Sequence, residues 1–380
     1  MWLGLLSTLA LAADGDRYTV EFFNGASLAN ARTLGMGGAV TGVANGAAAM
    51  MANPAAAARR RENALDRPWD ADGMFAILAL PLVDRVLDRQ REDTDPILLL
   101  HPSGTLRYRG FGAGAYAYGH GYAASWSGDD GAQVDASLTQ ALVGAGAAWT
   151  TADAGLTVGA ALLVQTARIT VGDPTWLGRE DLALSASGLG VEVGALWSPP
   201  NTPFRVGASM RPPMRAEAHT PLAGVPLDGA RLPLELAAGG SLRLGARPYN
   251  RKPTYGEREP AHTPSGRVVL FAADLVLTGR SLDAIPVEDL LDEAWTDPDF
   301  AAAEAGLTLG ARGGVEGEVL EDRLRLRGGA YWEPARFQPG RLHGTLGAEW
   351  GFPGLRGFRL SGALDGARGY QRVALSLGVW

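Results

Sequence analysis

The chain has 380 residues and a formal net charge of −7, and without a basic tract this acidic balance argues against a nucleic-acid partner. Cysteine is absent, which excludes thiolate metal sites, thiol nucleophiles and disulfides. The 52 glycines are many for a soluble enzyme, whereas a β-barrel uses glycine for tight turns, kinks and close packing.

Residues 1–13 form an apolar stretch that is followed by the polar Asp14-Gly15-Asp16. With its Ala10-Leu11-Ala12 cleavage pattern, this stretch predicts a secretory signal peptide, although it lacks a positively charged start. The other interpretation is a buried N-terminal helix or strand. An exported chain without a spanning helix is compatible with a barrel, because only helices and closed barrels satisfy their backbone inside lipid.

Residues 33–58 contain no charged side chain and are long enough to span a bilayer as a helix, for which about 20 residues suffice. However, their glycines, asparagines and Pro54 leave few large apolar groups to drive insertion. We therefore expect no transmembrane helix in this stretch.

The clearest pattern is the alternation of apolar and charged side chains at 323–332, RLRLRGGAYW. Leu326 and Trp332 fall on one face of a strand and Arg325 and Arg327 on the other, because successive strand side chains point to opposite faces. Residues 341–352 and 358–365 repeat the pattern. A transmembrane β-barrel needs an apolar face toward lipid and a polar face toward its interior, but a soluble sheet with one face on a core alternates in the same way.

Patterns of this kind predict about fourteen strands, most of them as long as the 9–11 residues that a tilted spanning strand needs. They lie at 72–80, 105–118, 120–127, 136–150, 154–171, 182–198, 203–216, 232–246, 266–278, 305–318, 322–333, 341–352, 356–365 and 370–380. The stretch at 248–265 is rich in proline and charge and is predicted to be a solvated loop. Stretches 281–303 and 82–95 carry apolar residues at helical spacing and are predicted to hold short amphipathic helices.

Several tryptophans fall at the ends of predicted strands, which favours interfacial aromatic girdles over burial in a core. They are Trp126, Trp149, Trp197, Trp332, Trp350 and Trp380. A C-terminal aromatic on an alternating strand resembles the signal that the barrel-insertion machinery reads. Trp380, however, falls out of phase with the apolar row that includes Leu375 and Leu377.

The most specific local motif is the stretch LGMGGAVTGVANGAAAMMANPAAAA at 34–58. It resembles the N-terminal segment of FadL-type outer-membrane transporters of long-chain fatty acids and other hydrophobic compounds. In that family a glycine-rich stretch leads to Asn-Pro-Ala, here Asn53-Pro54-Ala55. Residues 188–215, 233–247 and 267–279 are similar to further strand motifs of the same family.

The resemblance implies an all-β protein, a transmembrane antiparallel β-barrel of about 14 strands with an N-terminal plug, or hatch, inside its lumen. The chain would divide into a signal peptide at 1–13, a plug at 14–65 and a barrel at 66–380. The Asn-Pro-Ala element would lie near a kink in an early strand, where a side portal opens toward the membrane. The resemblance implies a role in the plug and in gating for Gly35, Gly37, Gly38, Asn53, Pro54 and Ala55. The alternative is a low-complexity segment with no special role.

Arginines on the inner faces of the predicted strands have two possible roles. They are Arg243, Arg323, Arg325, Arg327 and Arg359. They would either form a structural network with the acidic residues across the lumen or contact the head group of an anionic ligand by bidentate hydrogen bonds. The five histidines show no metal-ligand spacing, and no nucleotide or nucleophile motif appears, so we expect no metal, no cofactor and no enzymatic activity.

The sequence therefore predicts passive uptake of hydrophobic compounds, such as long-chain fatty acids, across the bacterial outer membrane, with lateral exit from a plugged barrel. Its partners would be these small molecules, outer-membrane lipid and the barrel-insertion machinery. One alternative is a barrel that acts as a scaffold or as a secretion or assembly partner, without a small-molecule substrate. Another is a soluble exported β protein.

Overall fold

The computed structural model describes most of the chain. The described residues are 18–21, 30–59, 64–84, 96–127, 133–151, 155–172, 182–220, 227–245, 249–252, 255, 268–286, 303–336, 340–352, 354–355, 357–368 and 370–379. The expected signal peptide and most of the loop at 248–265 lie outside these residues, as do the side chains of Trp126 and Trp380.

In the described part of the chain, nineteen strands form one sheet. The strands are β1 (Tyr18–Glu21), β2 (Trp69–Asp84), β3 (Pro96–Tyr108), β4 (Phe111–Ser127), β5 (Gln133–Thr150), β6 (Leu156–Gly172), β7 (Leu182–Trp197), β8 (Phe204–Arg211), β9 (Met214–Thr220), β10 (Leu227–Leu232), β11 (Glu235–Leu244), β12 (Val269–Thr278), β13 (Ser281–Pro286), β14 (Ala303–Ala305), β15 (Thr308–Leu320), β16 (Leu324–Glu333), β17 (Arg341–Gly351), β18 (Phe358–Ala367) and β19 (Tyr370–Val379). Two short α-helices, α1 (Ala31–Gly35) and α2 (Gly46–Ala49), and a 3-10 helix (Pro54–Ala58) precede the second strand. None of the helices in the described residues is long and apolar enough to cross a membrane.

Fourteen of these strands close into an antiparallel barrel. They are β2–β8, β11, β12 and β15–β19. The ring closes because β19 pairs with β2, β8 pairs with β11 and β12 pairs with β15. The predicted antiparallel barrel of about 14 strands is confirmed.

The remaining strands form an extension sheet in the order β9-β10-β1-β13-β14. In it β1 runs parallel to both β10 and β13, so the N-terminal strand is inserted between two segments from the second half of the chain. The buried Glu21 of β1 forms an ion pair with Arg336, which follows β16. No pattern in the sequence predicted this sheet.

Several predicted boundaries are wrong. The strand expected at 105–118 is interrupted at Arg109, which has φ 52°, and the true partner of β2 is β3, which the sequence analysis missed. Its Pro102 pairs with β2 but has no register partner on β4, in keeping with the missing N–H of proline. The strand expected at 203–216 breaks at Pro212-Pro213. The helix expected at 281–303 begins instead as β13 and ends at the first residue of β14. The helix expected at 82–95 begins as the end of β2. The remainders, 287–302 and 85–95, lie outside the described residues.

The two faces of the barrel strands differ as the alternation predicts. On β17, Leu346 is 66% exposed on the outside, while its neighbour Thr345 is 3% exposed on the inside. The outward row continues on neighbouring strands with Leu326 and Leu364. An exposed apolar surface that surrounds the whole barrel is unfavourable in water and has the pattern of a wall that faces lipid.

Aromatic side chains lie on the outer surface near the end at which β2 begins and β19 finishes. Trp69, Trp149, Trp197 and Trp350 are all exposed there, and Trp69 packs against Tyr108 with ring centroids 4.5 Å apart. Trp332 is exposed at the opposite end of the barrel. The predicted strand-end position is confirmed for Trp149, Trp197, Trp332 and Trp350, and it is typical of interfacial girdles.

Candidate functional site

The N-terminal segment, residues 30–59, crosses the inside of the barrel. Leu34 and Met50 are fully buried. At one end of the segment, α1 packs against β16–β19, and at the other the 3-10 helix packs against β3–β7. Because the segment contacts strands in both halves of the ring while their outer faces stay exposed, it lies within the lumen.

Glycines bring the backbone of the segment close to the wall. A Cβ on Gly35 would lie 3.2 Å from the Cα of Gly347 on β17, and a Cβ on Gly37 would lie 2.7 Å from the backbone oxygen of Gly313 on β15. Gly37 and Gly38 also have φ 60° and 79°, which only glycine adopts at little cost. Gly35 and Gly37 therefore lie against β15–β17, and Gly38 follows them in a turn that only glycine adopts at little cost.

The Asn-Pro-Ala element lies on the other side of the lumen. The side-chain oxygen of Asn53 accepts a hydrogen bond from the Ala55 N–H at 3.0 Å and thus caps the 3-10 helix. Its amide N–H group donates to the backbone oxygens of Thr41 and of Ala195 on β7, both at 3.1 Å. Pro54 begins the helix, where its missing N–H costs nothing, and a Cβ on Gly159 of β6 would lie 2.7 Å from the Pro54 carbonyl carbon.

Charged side chains of the wall bind the backbone of the segment. The carboxylate of Asp274 on β12 accepts hydrogen bonds from the N–H groups of Val40 and Thr41, both at 2.8 Å. The guanidinium of Arg205 on β8 donates to the Val43 oxygen at 3.0 Å and stacks on the Tyr249 ring at 3.4 Å.

A second anchor is built around Arg107 on β3, which is fully buried. It forms ion pairs of 2.9 Å with both Asp70 and Asp72 on β2 and donates to the Ala57 oxygen at 3.1 Å. Asp72 in turn accepts from the Ala47 N–H at 3.1 Å. Asp70 and Asp72 share the inner face of β2 because they are two residues apart.

None of the residues predicted from sequence is among these anchors of the segment, which are Asp70, Asp72, Arg107, Arg205 and Asp274. A usable signal existed in each case, since a charged residue on the inner face of a barrel strand needs a partner inside. The partners are backbone groups from a remote part of the chain, which no local pattern identifies.

Three of the predicted arginines meet in one cluster on β16–β18. Arg327 is fully buried, lies 2.6 Å from Glu316 and also pairs with Glu349. Arg359 donates to Glu349 at 3.0 Å, and Arg325 lies 3.6 Å from it.

The arginine cluster also holds the N-terminal segment, because Arg32 makes two hydrogen bonds of 3.1 Å to Glu316. The other two predicted arginines lie elsewhere. Arg243 is on β11, with its guanidinium 5.7 Å from the Tyr249 ring centroid. Arg323 is exposed in the turn before β16, outside the inward row in which the alternation had placed it.

Opposite the arginine cluster, the inner face of β5–β7 is largely apolar. Buried side chains there form one hydrophobic cluster with side chains of the extension sheet. Its members include Leu138, Leu142, Leu163, Ile169 and Leu184 from the wall and Met214, Ala216, Leu227 and Ala230 from β9 and β10.

The wall between β7 and β8 is interrupted beside this apolar face. β8 pairs with β7 as far as the pair formed by Val193 and Met210. β9 then pairs with β7, but only from the pair formed by Ser187 and Glu217 onward. Between these points, residues 188–192 of β7 have no register partner on β8 or β9, although all of these residues are described. Inward-facing Cβ atoms on Gly188 and Gly190 would strike β9, so after Pro212-Pro213 the chain bends over the inner face of β7.

Solved structures with this architecture are known. The CymD monoaromatic hydrocarbon channel matches with a TM-score of 0.56 and 14% identity, over 94% of this chain and 98% of that chain. The chain has the FadL-type barrel fold. The Ralstonia pickettii toluene transporter TbuX matches with a TM-score of 0.52 and 16% identity over 94% and 98% of the two chains. A Pseudomonas aeruginosa FadL homologue matches with a TM-score of 0.50 and 14% identity over 95% and 97%.

The FadL-type fold is thus shared along nearly the whole chain, at identities that establish fold and not function. No family model matches the sequence, and no curated protein matches it either.

Proposed function

We propose that the protein is an outer-membrane channel for the passive uptake of hydrophobic small molecules, and that the N-terminal segment is its plug. One observation supports this proposal above all: polar contacts hold the N-terminal segment inside the barrel. The outer surface of that barrel is apolar, with aromatic side chains near its ends. Non-helical backbone at membrane depth is tolerated only where protein shields it from lipid. The names of CymD and TbuX, a hydrocarbon channel and a toluene transporter, support a hydrophobic cargo.

The route we propose passes along the apolar inner face of β5–β7 and leaves sideways at the interruption between β7 and β8. Asn53 bonds Ala195, two residues from Val193, where the β7–β8 pairing ends. A movement of the Asn53-Pro54-Ala55 element would therefore act directly on the edge of this portal. This proposed portal is beside β8, the seventh barrel strand, whereas the resemblance implied a portal at a kink in an early strand.

Two cargo chemistries are compatible with this route, long-chain fatty acids and neutral aromatic compounds. A fatty acid would place its carboxylate near the arginine cluster, where the Arg325 side chain is 28% exposed and Arg327 is committed to Glu316 and Glu349. Arg359, which donates to Glu349 at 3.0 Å, belongs to the same proposed head-group contact. Arg243 and Arg323 lie outside the cluster, and this reasoning does not extend to them.

Uptake of labelled oleate and labelled toluene by cells with and without the gene tests the proposal. We expect the gene to raise uptake of at least one of the two compounds and Asn53→Asp to abolish the gain, because aspartate cannot donate to Thr41 and Ala195. Equal uptake with and without the gene would overturn the channel. Stable copurification of one protein partner would then favour the scaffold role.

A further inference from the structure

Two glutamines, Gln140 on β5 and Gln165 on β6, lie inside the apolar half of the barrel. Gln140 is 4% exposed and Gln165 is fully buried. In the ladder between the strands, Gln140 pairs with Ala167 and Gln165 with Leu142. The two side chains are therefore diagonal neighbours on the inner face, close enough to contact one small molecule.

The surroundings of the two amides are hydrocarbon. Leu138, Leu163 and Ile169 lie on the same face and are buried. On β7 the residue opposite Gln165 is Gly188, which has no side chain, and the backbone of β9 at Arg215 and Ala216 lies over it.

Three of the four polar atoms of these two amides lack a hydrogen-bond partner among the described residues. Both amide atoms of Gln165 and the amide oxygen of Gln140 have no hydrogen-bond partner in the described part of the chain. Unpaired buried polar atoms are costly, and native structures keep few of them. Leucine or methionine would fill the same volume at no such cost, so a pair of amides in this position indicates recognition of a polar group.

The charge near the amides is unsuitable for a carboxylate. Glu192, which faces inward from β7, has Arg211, Glu235 and Tyr116 as its electrostatic neighbours. Arg211 is already paired with Glu235 at 3.2 Å, so this guanidinium is not available to the carboxylate of a ligand. The arginine cluster lies on β16–β18, across the barrel.

We propose that Gln140 and Gln165 bind the hydroxyl head of a neutral amphiphile, such as an alkylphenol or alkanol. The hydroxyl donates to an amide oxygen and accepts from the Gln165 N–H, while the hydrocarbon part lies on Leu138, Leu163 and Ile169. This inference rests on the proposed channel function and narrows its cargo. A bare hydrocarbon would leave the amides unpaired, and a site that bonds a hydroxyl rejects the analogue that lacks it.

The test compares three probes of similar size on the purified full-length barrel in detergent: 4-hexylphenol, hexylbenzene and 4-hexylbenzoate. Equilibrium dialysis should show the phenol bound about 10-fold or more tightly than the other two. The double variant Q140L/Q165L should lose this preference and bind hexylbenzene at least as well as the native protein. The matched control is Q371L, at an exposed position of β19, which should keep the preference. Gln165→Met serves as a second test if the double variant does not fold.

The outcomes separate this inference from the channel proposal. Equal binding of phenol and hexylbenzene, or preference for the benzoate, overturns the inference. A phenol preference that survives in folded Q140L/Q165L also overturns it, because the amides then bind only water. After any of these results, the channel proposal still holds if cells with the gene take up hexylbenzene faster than cells without it. Failure of all three probes to enter such cells overturns both proposals.

Discussion

Asp274 accepts a hydrogen bond from the backbone N–H of Thr41 at 2.8 Å, although the two residues are 233 positions apart. The same oxygen accepts from Val40 at 2.8 Å. An ionised carboxylate is an acceptor only. Asp274 therefore accepts hydrogen bonds from two backbone N–H groups of the N-terminal segment, which is not part of a strand at this point. The barrel wall thus provides hydrogen bonds that the segment cannot make within itself.

Replacing Asp274 should weaken the attachment of the N-terminal segment without disrupting the backbone hydrogen bonds between β12 and its neighbouring strands. Asp274→Ala leaves two buried N–H groups unpaired, at about 1–3 kcal/mol each. We expect larger and more frequent current steps in planar bilayers than the native protein gives. Asp274→Asn keeps one acceptor oxygen and should behave nearly like the native protein, and an unchanged alanine variant would contradict the anchoring role.

Gly194 on β7 provides space for the Asn-Pro-Ala element. A Cβ there would strike the Asn53 side chain and lie 2.9 Å from Pro54 Cδ. We expect Gly194→Ala to destabilise the barrel by about 1–3 kcal/mol. When samples are heated before gel electrophoresis, the variant should lose the compact folded form at a lower temperature than the native protein. Gly344→Ala is the control, because a Cβ at Gly344 meets nothing within 4 Å; equal effects of the two would refute the packing argument.

If the segment must move during transport, locking it should stop uptake. The Ala31 N–H donates to the Ser376 hydroxyl at 2.9 Å, so cysteines at these positions are close enough to be joined. The native chain has no cysteine, which makes the pair the only thiols present. We expect oxidation to block uptake and reduction to restore it, with each single cysteine variant unaffected. Full uptake by the oxidised pair would show that this end of the segment stays fixed.

Arg327 lies between two buried carboxylates, Glu316 and Glu349, and pairs with both. Arg327→Met should cost up to about 3–5 kcal/mol, because Glu316 would keep only Arg32, and Glu349 only Arg359 and Arg325, all of which are more exposed than Arg327. Thermal unfolding measures this loss. Arg341→Met, which removes a half-buried ion pair with Glu333, should cost less, and a similar loss in both variants would argue against the central place of Arg327.

Spin labels test whether the outer face meets lipid. Leu346 is 66% exposed and Thr345 is 3% exposed, so their surroundings should differ although they are adjacent in sequence. In native membranes we expect a label at Leu346 to be accessible to oxygen and shielded from a water-soluble relaxing agent. A label at Thr345 should show restricted motion. An aqueous environment at Leu346 would exclude the barrel from the membrane.

The strand alternation was readable from sequence because it is local. Arg327 faces inward and Leu326 outward in the structure, as period two requires. The predicted strand boundaries were wrong where pairing with distant strands overrode the local conformational preference of the residues. β3 was missed because Pro96 and Pro102 argue against a strand, yet Pro96 begins it and Pro102 makes no register pair on the β4 side. The short β1 was missed because its partners, β10 and β13, lie more than 200 residues away.

Sequence alone determined, for most barrel strands, which side chains face outward and which face the lumen, because strand geometry depends on immediate neighbours. The glycine-rich segment was singled out by its resemblance to a family motif. Only the tertiary structure decided that Asp274 and Arg107 hold that segment, that Arg325, Arg327 and Arg359 converge while Arg243 and Arg323 do not, and that β8 bends inward beside Asn53. These relationships join residues far apart in the chain, and they are set by the closure of the ring, which brings opposite walls to a common interior.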